Sequence, residues 1–95
     1  MTLVRLATDA KRDLREIWKY IAQDNPAAAD RIIDGLTSRF DLLARFPGIG
    51  QARDDLRSGM RSFPVGNYVI YFLPQPNALR ILRVVHGARD AGQLF

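Results

Sequence analysis

The stretch Gly59-Met60-Arg61-Ser62-Phe63-Pro64-Val65-Gly66-Asn67-Tyr68-Val69-Ile70-Tyr71-Phe72-Leu73 decides the fold. Two runs rich in apolar and aromatic residues flank Gly66-Asn67, a pair suited to a tight hairpin turn. Met60 to Val65 is expected to be a strand. Pro64 argues for an edge position, because proline donates no ladder hydrogen bond. Tyr68 to Leu73 is apolar on both faces and reads as a central strand, at least partly covered on each side. Alternation puts Tyr68, Ile70 and Phe72 on one face and Val69, Tyr71 and Leu73 on the other. Pro74 to Ala78 reads as a second turn and Leu79 to Val85 as the last strand, which His86-Gly87 ends.

Upstream, Gly48 to Ser58 reads as a charged, glycine-containing loop. Leu3 to Leu6 reads as a short strand, followed by a helix with Thr8 or Asp9 as its cap. Ala10, Leu14, Ile17, Trp18 and Ile21 form that helix's apolar stripe, with Trp18 expected in the core under the C-terminal tail. Lys11, Arg12, Arg15, Glu16 and Lys19 fall outside the stripe. Asn25-Pro26 ends this helix and starts another, with Asn25 as N-cap and Pro26 in the first turn. Ala29, Ile32, Ile33, Leu36, Phe40 and Leu43 form the second stripe, which Phe46-Pro47-Gly48 ends. Gly35, inside that helix, fits a close helix–helix approach. The link is so short that the helices are expected to pair as an antiparallel hairpin.

The predicted order is β-α-α-β-β-β, an α+β single domain over residues 1–95. An N-terminal strand and a helical hairpin pack on one face of a small, mostly antiparallel sheet. A hairpin covers only one sheet face. The second face is therefore expected to present Val69, Tyr71 and Leu73 to solvent or to a partner. Leu94 and Phe95 in the short tail dock either on the core or on that partner.

Composition narrows the chemistry. The 95 residues are 47% hydrophobic and 25% charged, an ordinary globular balance. The absence of cysteine excludes disulfides, thiol catalysis and thiolate metal sites. With a single histidine, His86, a multi-histidine metal site is excluded too, and no cofactor is expected. The N-terminal MTLVRLATDAKRDL has neither a long apolar core nor a small-residue cleavage site, so no export signal is expected. No run reaches the roughly 20 apolar residues of a membrane span, and a cytoplasmic location is expected. Lysine and arginine total 14 against 10 acids, and twelve of the 14 are arginine. Such a surface is either merely solvated or suited to an anionic partner.

Four segments carry a family resemblance. The first is Asp13-Leu14, then Ile17 to Ala22, Asp24-Asn25-Pro26 and Ala28-Ala29. The second is Phe46-Pro47 and Gly50, followed by Arg53 and Leu56. The third is Gly59 to Phe72, and the fourth Ile81 to Asp90. In this order and spacing they resemble the ParE toxins of type II toxin–antitoxin systems, within the RelE/ParE superfamily, over roughly residues 7 to 90. The resemblance implies the fold read above. It also implies a toxin that inhibits DNA gyrase and is neutralised by a cognate ParD-like antitoxin. Relatives of the RelE kind instead cut messenger RNA on the ribosome. A third reading is an inactive toxin-like partner that serves only as a co-repressor.

Metal-free RNA cleavage requires a base, an acid and a cation on the phosphate. The set available to it is Arg61, Tyr71, Arg83 and His86, with Arg89 nearby. Tyr71 would stack a base and His86 would serve as acid or base. Relatives that use glutamate, arginine and histidine would need a carboxylate near the sheet, for which Asp54 or Asp55 can be offered. Glu16, Lys11 and Lys19 are assigned to the first helix and leave the sheet without a clear acid–base pair. Each residue also has a plain structural reading. Arg61 would be a charge that protects a sheet edge. His86 would bond backbone, Arg89 would pair with Asp90 or a neighbouring carboxylate, and Asp54-Asp55 would be solvated. The non-catalytic inhibitor is therefore the preferred reading, with direct nucleic-acid binding confined to the RNase alternative.

Arg61, Phe63, Val65, Tyr71, Arg83, His86 and Arg89 are the candidate target- or antitoxin-binding residues. The antitoxin segment is expected to be acidic and amphipathic and to fold on binding. It is expected to contact the hairpin groove and the sheet edge from Arg61 to Val65, in a heterotetramer or larger assembly.

Overall fold

Strand β1 (Leu3–Leu6) leads directly into helix α1 (Thr8–Ala22), and a short turn connects this to helix α2 (Pro26–Arg45). A 3₁₀ turn (Pro47–Ile49) precedes β2 (Gln51–Ala52). Strands β3 (Arg61–Val65), β4 (Tyr68–Gln75) and β5 (Ala78–His86) follow, with a last 3₁₀ turn at Ala91–Gln93. This computed structural model describes residues 2–95.

The sheet order is β1-β5-β4-β3-β2. All neighbours are antiparallel except β1, which runs parallel to β5 in the register Leu3↔Ala78 to Leu6↔Ile81. The intervening helical hairpin supplies the long crossover that a parallel pair needs. Gly66 has φ 57°, as the β3–β4 turn demands. The register of β4 against β5 shifts between Tyr71 and Phe72, which leaves Leu82 without a partner.

Several expectations hold and several need correction. Asn25 caps α2 by accepting from the Ala28 N–H at 3.0 Å, with Pro26 in the first turn. Neither Thr8 nor Asp9 caps α1: Ala7 occupies that position and makes no side-chain cap, because the chain enters the helix straight from β1. Gly48 to Ser58 is not all loop, since Gln51 and Ala52 pair with Ser62 and Arg61. The outermost strand is thus β2, and β3 is shielded only opposite those two residues. Pro64 lies beyond them, where its missing N–H costs no bond. Strand β4 runs on through Pro74 to Gln75, and Asn77 O accepts from the Leu3 N–H.

Trp18 is not core. It is 40% exposed and donates from Nε1 to Asp30 Oδ1 at 2.9 Å, linking the two helices at the surface. Gly35 does not mediate a close helix approach either. A Cβ there would meet nothing within 4 Å, because the position borders a shallow groove against the β3–β4 turn.

Two cores sit on opposite faces of the sheet. Leu36, Phe40 and Leu43 of α2 and Ala10 of α1 pack on Ile70, Phe72, Leu79, Ile81 and Val84. Full burial of each large side chain contributes roughly 1.5–3 kcal/mol. The second core holds Met60, Tyr71, Leu82 and Val85, packed by Leu56, Ala91 and Leu94. The expected open face is therefore closed by the chain itself, through the loop before β3 and the C-terminal tail. Phe95 lies 5.2 Å from Tyr71, ring centre to ring centre. No described helix is long and apolar enough to cross a membrane.

Candidate functional site

Of the sequence candidates only His86 and Arg89 line one groove. Arg61 Nη2 donates to the carbonyls of Gly48 and Gly50, fastening the 3₁₀ turn to the sheet. Its buried Nε has no partner. Arg61 thus serves the fold and is neither a free edge charge nor a free phosphate ligand. Arg83 donates from Nε to Asp13 Oδ2 at 2.7 Å and from Nη2 to Asp13 Oδ1 at 2.9 Å. The carboxylate raises the guanidinium pKa further above its ordinary value, against the opposing effect of burial.

Tyr71 is buried on the second face beneath Phe95, with the Arg53 guanidinium 5.9 Å from its ring centre. Arg53 in turn forms a two-point pair with Asp55, which holds that carboxyl below its usual range. Asp54 accepts from the Gly59 N–H at 2.9 Å. Both loop carboxylates are thereby engaged. Phe63 is half-buried against the main core, and Val65 borders the groove beside Gly35 and Ile32.

His86 stands elsewhere, at the end of β5. Its Nδ1 accepts from the Ala88 N–H at 3.1 Å, which places the proton of a neutral ring on Nε2. Its ring meets Tyr68 edge-on at 5.8 Å. Asp90 accepts from the Gly92 N–H rather than pairing with Arg89.

Strand β1 covers β5 only as far as Ile81, and beyond that point α1 runs along the β5 edge. Between them lies an open groove of about 330 Å³, where Glu16, Ile17 and Tyr20 of α1 face Tyr68, His86 and Arg89. The fold thus brings to one groove two carboxylates, Glu16 and the Arg83-bound Asp13, with an imidazole, a guanidinium and two phenols. Glu16 was assigned by sequence to a solvated helix face remote from the sheet, because its spacing says nothing about how closely α1 follows β5. Asp13 was missed as an anchor. An acid at a position in phase with Ala10, Leu14 and Ile17 is the signal that flags a buried pair. Among the described residues no group of three metal-ligating side chains occurs.

Residues 4–91 match the family model described as the ParE toxin of the type II toxin–antitoxin system, parDE. Toxin RelE3 of Caulobacter vibrioides is 33% identical over 87 residues, covering 90% of this chain and 95% of that protein. Toxin ParE1 of the same organism is 34% identical over 89 residues, covering 92% and 91%. Among solved structures, the toxin–antitoxin complex RelBE2 of Mycobacterium tuberculosis includes a chain 28% identical with a TM-score of 0.57, covering 90% of this chain and 96% of that one. The chromosomal ParDE system of P. aeruginosa matches in fold, with a TM-score of 0.76 at 19% identity over 90% and 96%. Carried by nearly its whole length and by the same strand–hairpin–sheet architecture, the chain belongs to the ParE toxin family of type II toxin–antitoxin systems.

Proposed function

We propose that the chain is a toxin that inhibits DNA gyrase without itself catalysing a reaction, and that a cognate ParD-like antitoxin neutralises it in the cytoplasm. The observation that carries this reading is the engagement of three of the four cleavage candidates. Arg83 is held by Asp13, Arg61 by two backbone carbonyls, and Tyr71 lies under Phe95 on the face away from the helices. Charge stabilisation of a phosphate in flight needs a cation free to meet it. The antitoxin segment is acidic and amphipathic on this reading, matching a chain of net charge +4. Its contacts are the hairpin groove and the outer edge of β3 from Phe63 to Val65.

A purified-component assay tests the target. Gyrase, relaxed plasmid, ATP and this chain are expected to accumulate cleaved DNA that is released by denaturing the enzyme. Unchanged supercoiling with no cleaved product would sink the reading.

A second reading, a ribosome-dependent endoribonuclease of the RelE kind, is favoured by one feature. Glu16, His86 and Arg89 border the same groove and supply the three group types that metal-free RNA cleavage uses. Codon-phased cuts in transcripts after induction, abolished by His86→Gln, would support it.

A further inference from the structure

Lys11, Arg15 and Lys19 recur at every fourth position of α1, and all three are exposed. Residues four apart lie on one helix face, so at 1.5 Å per residue the stripe runs about 12 Å. None of the three takes part in an ion pair among the described residues; the nearby Asp9 is engaged by Arg12. At its N-terminal end the stripe meets two more free cations. Arg5 of β1 and Arg80 of β5 stand opposite each other in the parallel register, both exposed, and share an open cleft with Lys11. Like charges in directly opposed cross-strand positions repel, and among the described residues no carboxylate lines the cleft they share. Among the described residues, five cations without an ion pair therefore run from the cleft at the sheet edge, through Lys11, along the first helix.

We propose that this ridge docks on the phosphate backbone of duplex DNA. The partner follows from shape and chemistry. A folding peptide seeks a concave apolar seat, whereas these five side chains stand on the outer face of a helix and the rim of a sheet. A stiff polyanion that approaches from outside meets them all with no burial of apolar surface. Single strands are gripped by stacking bases on aromatic rings. Of the two aromatics on α1, Trp18 is bonded through Nε1 to Asp30 and Tyr20 lines the groove against β5. The contact proposed is to phosphate alone, which is independent of sequence and serves to hold and orient the chain on DNA. The inference does not depend on the gyrase reading, since a chain with another target would carry the same ridge.

The test uses the purified chain, without gyrase, and a 30-base-pair duplex of arbitrary sequence, with binding followed by anisotropy from 50 to 200 mM salt. Five contacts predict a loss of affinity on the order of 10²–10³-fold across that range. Lys11→Gln, Arg15→Gln and Lys19→Gln together are expected to lower the log–log salt slope by roughly 0.9 for each charge removed. Arg5→Gln with Arg80→Gln is expected to lower it by a similar amount per charge. All five positions are exposed, and unchanged circular dichroism of the variants confirms folding. Absence of duplex binding at 50 mM salt would overturn the proposal, as would a wild-type slope in the variants. So would tighter binding to a single strand of equal length. Displacement of the duplex by polyglutamate at equal charge concentration would overturn it in favour of an acidic protein partner.

Discussion

Asp13 of α1 and Arg83 of β5, 70 residues apart, form a two-point ion pair in which the same carboxylate also accepts the Val84 N–H at 3.0 Å. Asp13 thereby takes the place of a neighbouring strand where β1 has ended. It satisfies the exposed backbone edge of β5 and fixes how α1 lies along it. The groove that holds Glu16 and His86 exists because of that alignment.

Removing Asp13 strands a partly buried guanidinium and a buried backbone donor together. Asp13→Ala is expected to cost about 3 kcal/mol in urea unfolding, a large share of the stability of a small domain. In a double-mutant cycle with Arg83→Met, the second substitution is expected to recover part of that loss, because the unpaired charge goes with it. Additive losses would contradict the coupling.

The C-terminal tail closes the second core. Phe95 is 39% exposed, so Phe95→Ala is expected to cost only about 1 kcal/mol. Ending the chain after Asp90 also removes Leu94 and is expected to cost more and to raise binding of a hydrophobic dye. Equal stability of the shortened chain would show that Tyr71 does not need the tail.

Two glycines make opposite predictions. At Gly50 a Cβ would lie 2.5 Å from Phe72 Cζ and 3.1 Å from Ser62 O, so Gly50→Ala is expected to destabilise by about 1–3 kcal/mol. At Gly35 a Cβ meets nothing within 4 Å, and Gly35→Ala is expected to stabilise α2 by about 0.5–1 kcal/mol. Thermal unfolding of both variants checks the pair, and the same sign for both would contradict it.

Asp55 provides a pH-dependent test. Its folded-state pKa lies below the ordinary value, chiefly through the hydrogen bonds from Arg53. Its stabilising contribution is therefore fully present above the unfolded value near 4 and fades as pH falls through the lower folded value. The urea midpoints of the wild type and Asp55→Asn are expected to differ at pH 6 and to draw together toward pH 2. A gap that stays constant with pH would contradict the pair's electrostatic origin.

The gross fold was legible because its signals are periodic. The stripes of α1 and α2, the Asn25-Pro26 cap and the Gly66-Asn67 turn each impose a local geometry, and the elements follow. The parallel pairing of β1 with β5 carries no such signal, nor does the two-residue β2. Closure of the second face is weakly signalled for a related reason: isolated apolar residues such as Leu56 have no period, and for Leu94 and Phe95 the sequence leaves core and partner as alternatives. The site was less legible than the fold. Arg61 and Arg83 look like free cations in sequence, and only the tertiary structure supplies the carbonyls and the carboxylate that engage them. Glu16 reads in sequence as a residue of the first helix, and only the course of α1 along β5 brings it to the groove of His86.

A gyrase target is tested by pulse-labelling of DNA and protein synthesis in parallel after inducing the chain without antitoxin. DNA synthesis is expected to fall first and a DNA-damage reporter to rise, with Glu16→Gln and His86→Gln leaving this unchanged. Earlier loss of protein synthesis, relieved by either substitution, would contradict it and make the groove between α1 and β5 a catalytic site.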